Sequence, residues 1–400
     1  MNIFKRIYCR SFQLIFKALL PFLPYRDPII IENIVDIPRV LKEQGKNCPC
    51  IITDENIYKL GLTKILEEAL IKNGFDYALF NKVVINPTTD NVNEALEIYR
   101  NKGCDCLIAF GGGSPMDCAK GVGAKVARPK KDLIRLKGVL KVRRKIPLLI
   151  AIPTTAGTGS ETTIAAVIVD SKTRYKYAIV DFVLIPNYAV LDAKVTETLP
   201  PQIVATTGMD ALTHAIEAYI GRSGNKETRK HALKAMQLIF DNLEKAYLEP
   251  NEKTRKNMLL ASHLAGKAFS KAYVGNVHAL AHTLGGKYNT PHGLANAVIL
   301  PLVLRAYGKV IYKKIYEIAV YCNLVSEDVS YQKAFEVLIT RIENMNLIFN
   351  LPKTLDVKPK DLDELSHHAD VEANPLYPVP VLWDKKKFKE MLKKIGGINN

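Results

Sequence analysis

Aspartate and histidine recur at helical intervals in the second half of this chain. Asp210 and His214 in Gly208-Met-Asp-Ala-Leu-Thr-His214 stand at i,i+4, and His278 and His282 in His278-Ala-Leu-Ala-His282 repeat that interval. On a helix each pair shares one face. His292 follows in Tyr288-Asn-Thr-Pro-His292-Gly, at a Pro/Gly turn. One carboxylate and up to four imidazoles can therefore converge. Nitrogen and oxygen donors of this kind suit Fe²⁺ or Zn²⁺, and the absence of thiolate argues against a structural zinc finger. A lone histidine in an apolar helix is usually inert packing. Five ligand-type residues in paired spacing reverse that reading, although spacing leaves open which four would bind. His231, His263, His367 and His368 lie outside the pattern and read as surface or supporting residues.

The first half carries a different chemistry. Phe110-Gly-Gly-Gly-Ser-Pro-Met-Asp117 follows an apolar run and opens a helical one. Three glycines clear the turn of Cβ atoms, so backbone N–H groups can approach an anion, and a helix amino end adds partial positive charge. A pyrophosphate fits such a place. The spacing is not G-x-G-x-x-G, so the usual dinucleotide fold does not follow from it. Ile152-Pro-Thr-Thr-Ala-Gly-Thr-Gly-Ser-Glu161 gathers hydroxyls and glycines that suit phosphate or ribose oxygens, or plain turn chemistry. Asp54 closes the first strand of this half. Its carboxylate can accept ribose hydroxyls and repel a 2′-phosphate, or simply cap the next helix.

These residues need a scaffold to hold them. From about 30 to 195, short apolar runs alternate with helical periodicity: Cys50–Thr53, Cys106–Phe110, Leu148–Ile152 and Ala189–Leu191 read as strands. Alternation of this kind means βαβ units and a parallel sheet. Beyond Leu199-Pro-Pro201 the pattern is nearly all helical, over 208–220, 226–247, 252–270, 274–285 and 294–321. Three parts are expected: an amphipathic extension 1–28, an α/β domain 29–199 and an all-helical domain 200–400. Residues 1–24 carry Lys5, Arg6, Arg10 and Lys17 and no acid. Their apolar run is too short to span a bilayer and has no signal-peptide cleavage site. An amphipathic helix fits, its apolar face docked on the protein, laid on a membrane surface or serving in targeting. Fifty-six basic against 40 acidic residues give +16, an affinity for anions of unspecified kind. Seven cysteines without C-x-x-C point to buried, reduced thiols, hence the cytoplasm.

Together, GGGSPMD, PTTAGTGSE, GMDALTHAIEAY, GNVHALAHTLGG and YNTPHGLANA resemble the iron-containing, or group III, alcohol dehydrogenases, from about Ile30 to the carboxyl end. The resemblance implies a dehydroquinate synthase-like nucleotide-binding domain followed by an all-α metal domain. It implies Asp210, His214, His278 and His292 as metal ligands and His282 as a proton relay. Gly112, Gly113 and Ser114 match the pyrophosphate loop, and Thr154, Thr155 and Thr158 match positions around the phosphates and nicotinamide. Asp54 matches the NAD-selecting acid, Asn86 and Lys176 match adenosine-side contacts, and Phe269 matches a pocket wall. The cofactors implied are Fe²⁺, with Zn²⁺ or another divalent ion as alternative, and NAD(H), with NADP(H) as alternative. The expected activity is a metal-dependent alcohol dehydrogenase or aldehyde reductase acting on a small alcohol or aldehyde. A homodimer or larger homo-oligomer is expected, with no transmembrane segment. A zinc polyol dehydrogenase, a dehydroquinate-synthase-like lyase and a nonenzymatic anion-binding protein are the rival readings. The last would use the basic stretch 125–145, but no nucleic-acid motif accompanies it.

Overall fold

The computed structural model describes residues 1–398, so the last two residues of the expected 200–400 domain lie outside the described residues. The chain separates into two compact units. One runs from Pro24 to Leu199. The other joins Met1–Leu23 to the chain from Pro200 onward. The expected 1–28 extension is therefore not one body: it divides at Leu23/Pro24.

The Pro24–Leu199 unit holds nine strands: β1 (Ile29–Ile31), β2 (Pro49–Asp54), β3 (Ala78–Val83), β4 (Cys106–Gly111), β5 (Gly138–Val139), β6 (Leu148–Pro153), β7 (Ala165–Val169), β8 (Lys176–Val180) and β9 (Tyr188–Val190). Six form a parallel sheet ordered β1-β9-β6-β4-β2-β3. Strands β4 and β6 are buried along their whole length. This is why they read as unbroken apolar runs rather than alternating ones. Two hydrophobic clusters fill the two faces. One contains Ile52, Leu107 and Val122, the other Ile51, Ile108 and Leu66. A second sheet, β5-β8-β7, pairs β7 with β8 antiparallel. In β7 and β8 buried residues alternate with half-buried or exposed ones, a weaker sequence signal than a buried run. The basic stretch 125–145 is tied down locally. Asp181 Oδ2 accepts from the N–H groups of Val142 and Arg143 at 3.1 and 2.9 Å, and Leu133, Leu136 and Val142 are buried beneath it.

The other unit is helical, with long helices Pro201–Ile220, Lys226–Leu248, Glu252–Ala272, Asn276–Tyr288 and His292–Tyr307. Asn225 and Asn251 start two of them with reciprocal capping boxes. The run His292–Tyr321 is apolar and long enough to span a membrane. However, 61% of its apolar window is buried within this unit, as in a core helix. All seven cysteines are free, and six of them are buried.

The amino-terminal helix Ile3–Leu19 corrects one expectation. The amphipathic pattern allows docking through the apolar face, but the polar face docks. Cys9 and Gln13 are its buried residues, and Gln13 Nε2 donates to the carbonyls of Pro375 and Tyr377 at 3.1 and 2.7 Å. Arg10 donates to the carbonyls of Val379 and Pro380, and Lys5 pairs with Asp370 at 2.8 Å. The main-chain carbonyls that the 375–380 segment turns toward the helix explain this choice, because only a donor-bearing face can bond to them.

His292 begins a helix whose second residue lies hard against the helix Pro201–Ile220. A Cβ on Gly293 would fall 2.3 Å from the Thr206 carbonyl oxygen, a backbone atom that cannot turn aside. A Cβ on Gly286, inside the helix Asn276–Tyr288, meets nothing within 4 Å. Gly293→Ala is therefore expected to lower unfolding free energy by about 1–3 kcal/mol, whereas Gly286→Ala should leave it unchanged or raise it by up to about 1 kcal/mol. Urea unfolding of the two variants beside the parent checks the contrast.

Candidate metal centre and phosphate loop

The helix Pro201–Ile220 is buried along most of its length, yet three acidic or imidazole groups stand on one of its faces: Asp210, His214 and Glu217. The first two face His278, on the helix Asn276–Tyr288, and His292, at the start of the next helix. One donor atom from each of Asp210, His214, His278 and His292 lies within 4.8 Å of every other. Asp210 Oδ1 is 3.8 Å from His214 Nδ1, 3.8 Å from His278 Nε2 and 3.5 Å from His292 Nε2. Tetrahedral ligands with bonds of about 2.1 Å stand about 3.4 Å apart, so a small inward movement completes such a shell. Asp210, His214 and His278 are buried, while His292 keeps an exposed edge.

The electrostatics suit a cation. Burial, and then the neighbouring imidazoles, push His278 well below the usual histidine range, so its ring is neutral and keeps a lone pair. Burial also raises Asp210. Asn296 Nδ2 donates to Asp210 Oδ1 at 2.6 Å and stands 3.3 and 3.1 Å from the Nε2 atoms of His278 and His292. Three acceptor atoms thus turn toward the positive end of one amide, an arrangement that fits a divalent metal.

Behind this cluster, Glu217 accepts a bond from His278 Nδ1 at 2.7 Å and from the N–H groups of Gly275 and Val277 at 2.7 and 2.8 Å. Burial pushes its carboxyl up to about 7 despite these donors. The bond fixes the His278 tautomer and directs Nε2 at the cluster. Sequence reading missed Glu217 and Asn296. Each had a signal: Glu217 lies seven residues after Asp210, and Asn296 four after His292, on the same helix faces.

His282 is not among the four clustered groups. Its ring stacks on His292 with centroids 5.1 Å apart, and its Nδ1 meets Glu372 Oε1 at 2.5 Å. Tyr377 Oη donates to the same oxygen at 2.6 Å. Burial works to raise Glu372, but the charge and hydrogen bond of His282 and the tyrosine hydroxyl outweigh it and hold the carboxylate below its ordinary range. Nothing in the sequence signalled Glu372, which arrives from a helix ninety positions away. Phe269 lies flat on His214, with centroids 4.1 Å apart and planes at 14°. His367 and His368 are exposed, whereas His263 is buried within its own helix and lies outside the cluster.

In the Pro24–Leu199 unit, the expected anion-binding residues gather at the carboxyl ends of neighbouring parallel strands. The sheet runs outward from β2 to β3 and in the opposite sense from β4 to β6, so the chain reverses between β2 and β4. Such a reversal opens a crevice at the strand ends. Gly111 has φ +150°, and a Cβ there would lie 2.5 Å from the Pro115 ring. Gly112 caps the helix Gly113–Ala127. The second loop faces the first. Thr154 N–H donates to the Gly111 carbonyl at 3.2 Å, and Cβ atoms on Gly112 and Gly113 would touch Thr155 and Thr158. Ser114 Oγ accepts from Asn86 N–H at 3.2 Å, and Lys176 Nζ donates to Asn86 Oδ1 at 2.7 Å. Asp54 spends one carboxylate oxygen capping the following helix, accepting from Ile57 N–H at 2.9 Å.

Lys120 joins the two loops and escaped sequence reading. It is wholly buried, and its Nζ lies within 3.3 Å of five oxygens of Ser160, Thr163 and Ala165. Burial lowers its ammonium to about 8 from an ordinary 10.5. Between those values the unfolded chain binds a proton that the folded one has shed, so folding stability gains as pH rises through the window. The wild type should gain roughly 2–4 kcal/mol across it relative to Lys120→Met, as measured by urea unfolding at both ends.

Known proteins carry the same architecture. The chain matches the iron-containing alcohol dehydrogenase family over residues 29–193 and the carboxyl-terminal part of that family over 204–396. A 1,3-propanediol dehydrogenase of Citrobacter freundii is 35% identical over 389 residues, covering 94% of this chain and 98% of its own. The crystal structure of a 1,3-propanediol oxidoreductase superposes with a TM-score of 0.89 at 33% identity, covering 93% of this chain and 99% of that one. A sulfoacetaldehyde reductase of Bifidobacterium kashiwanohense, solved with NAD⁺, superposes with a TM-score of 0.83 at 25% identity, covering 94% and 99%. With one domain of each kind matched in order and the Asp–His cluster assembled, this chain belongs to the iron-containing alcohol dehydrogenase family.

Proposed function

We propose that this enzyme interconverts a short-chain alcohol and its aldehyde, with Asp210, His214, His278 and His292 holding the metal and His282 moving the proton. The observation that carries the reading is the convergence of those four donor atoms from three helices. An Fe²⁺ or Zn²⁺ ion bound there supplies Lewis acidity toward a substrate oxygen, and NAD(H) supplies or accepts the hydride. The substrate class follows the similar proteins, one named for a three-carbon diol and another for a two-carbon sulfonated aldehyde.

The chain's own groups have separable tasks. Glu217 holds His278 in the tautomer that presents Nε2. Phe269 braces His214 and makes an apolar wall beside it. Glu372 engages His282 Nδ1, which makes Nε2 the ring atom that takes up or releases a proton. Tyr377 holds Glu372 in turn. Gly112, Gly113 and Ser114 cradle the pyrophosphate at the helix amino end, with Thr154, Thr155 and Thr158 on the facing loop. Asn86 and Lys176 lie on the adenosine side, and Asp54 selects NAD(H) through its second carboxylate oxygen. The cytoplasm suits a chain with seven free thiols, and a homodimer or larger homo-oligomer completes the reading.

His278→Ala should abolish metal retention and activity together. His282→Ala should keep the metal and lose about 10²–10⁴-fold in kcat. Metal content by elemental analysis alongside NADH-linked aldehyde reduction separates the two. Full metal occupancy in His278→Ala would remove it from the ligand set, and metal loss in His282→Ala would place it there.

Asp54 should disfavour NADPH by charge repulsion with the 2′-phosphate. Asp54→Gly is expected to move the ratio of kcat/KM for NADH over NADPH toward NADPH by about tenfold or more, the effect of roughly one lost charge contact. An unmoved ratio would leave Asp54 as a helix cap only.

A further inference from the structure

We propose that the helix Ile3–Leu19 is an interfacial anchor that seats this enzyme on an anionic lipid bilayer. The helix lies outside the family match, which begins at residue 29. Its polar side is already occupied by the protein. Gln13, Arg10 and Lys5 bond to the 370–380 region, Phe16 packs edge-on against Tyr273 at 5.3 Å, and the amino terminus pairs with Asp384. The opposite side is apolar and faces outward. Phe4 is 80% exposed, Leu14 69% and Ile15 62%, and Ile3, Ile7, Tyr8 and Leu19 are each at least half exposed. At 3.6 residues per turn these side chains form one continuous face, with Phe22 beyond the helix end extending it at 83% exposure. A patch of this size on a protein surface marks a binding site, because solitary exposed apolar residues do not line up in this way.

Charge identifies the occupant. The helix carries Lys5, Arg6, Arg10 and Lys17 and no acid. Arg6, Arg10 and Lys17 lie along one edge of the apolar face, and the rest of the helical unit places Arg222 and the half-buried Lys314, which also faces Glu317, near that edge. Arg10 feels the repulsion of Arg6 and Arg222, and Lys314 that of Lys17 and Arg222. Lys17 and Lys314 are held there by main-chain carbonyls of residues 219–222. A row of cations beside an exposed aromatic and aliphatic face matches the boundary between anionic headgroups and acyl chains. A second copy of the chain fits less well, because pairing two such faces brings two cationic rows together with no acid on either helix. The helix is docked by its polar side, so its apolar side can meet a membrane with those bonds in place.

Sedimentation of the full-length enzyme with vesicles tests this. Wild type should sediment with phosphatidylcholine vesicles containing phosphatidylglycerol, should do so far less with phosphatidylcholine alone, and should release as salt rises. The double variant Phe4→Asp, Ile15→Asp should lose affinity on the order of a hundredfold or more, from two apolar side chains withdrawn from lipid. Arg6→Gln should lose several-fold, near the contribution of a single cation at an anionic surface. Both variants alter exposed positions, so their activity toward a soluble aldehyde without vesicles should equal that of wild type, which also reports correct folding. Three results would overturn the proposal: no sedimentation of wild type with the anionic vesicles, sedimentation of the double variant as strong as wild type, or a halved molar mass of the double variant in light scattering. The last would assign the face to a second copy of the chain.

Discussion

The buried carboxylate of Glu217 is the contact on which the metal cluster depends. It stands on the helix Pro201–Ile220 and receives three donors from the start of the helix Asn276–Tyr288: two main-chain N–H groups and the His278 ring. The main-chain bonds satisfy orphan amides at a helix amino end, where a carboxylate is also favoured by the helix dipole. The ring bond turns that fastening into chemistry, because it sets which nitrogen of His278 faces Asp210. One side chain thus fixes the separation of two helices, the phase of one about its axis and the tautomer of a donor. Without it, Asp210 and His278 would be buried polar groups with no reason to meet.

Close packing carries the same constraint to the remaining donors. Gly293 lets the helix bearing His292 approach the Thr206 carbonyl to a distance that no side chain permits. Phe269 lies flat on His214 and limits its ring to one orientation. His282 is held differently, through Glu372 and Tyr377 from the carboxyl-terminal part of the chain. Two separate carboxylates give neighbouring imidazoles on one helix different surroundings: Glu217 turns His278 toward the donor cluster, and Glu372 engages His282 outside it.

The α/β unit applies the same logic to two facing loops. Its glycine loop and threonine-rich loop end adjacent strands, β4 and β6, and approach each other because Gly112 and Gly113 leave room for Thr155 and Thr158. Lys120 binds the second loop to the helix that follows the first, at the cost of burying an ammonium group. The cationic amino-terminal helix belongs to neither site. It is fastened by donors to main-chain carbonyls of residues 375–380, which leaves its apolar side outward.

Much of this was legible in the residues alone. Buried parallel strands announce themselves as unbroken apolar runs, and the i,i+4 pairs Asp210/His214 and His278/His282 announce shared helix faces, because both periodicities are set by backbone geometry over a few residues. The glycine loop was legible for the same local reason. The antiparallel strands β7 and β8 were not, since half-exposed alternation resembles loop composition. Nor did spacing decide which imidazoles join Asp210. His278 and His282 lie one turn apart on one face, and only the partners brought by other helices, Glu217 for one and Glu372 for the other, separate them. The amino-terminal helix makes the same point from the other direction. Its amphipathic pattern determined that it would have two faces, but which face meets the protein depended on the main-chain carbonyls at 375–380, some 360 residues away, and no local periodicity encodes a hydrogen bond made at that distance.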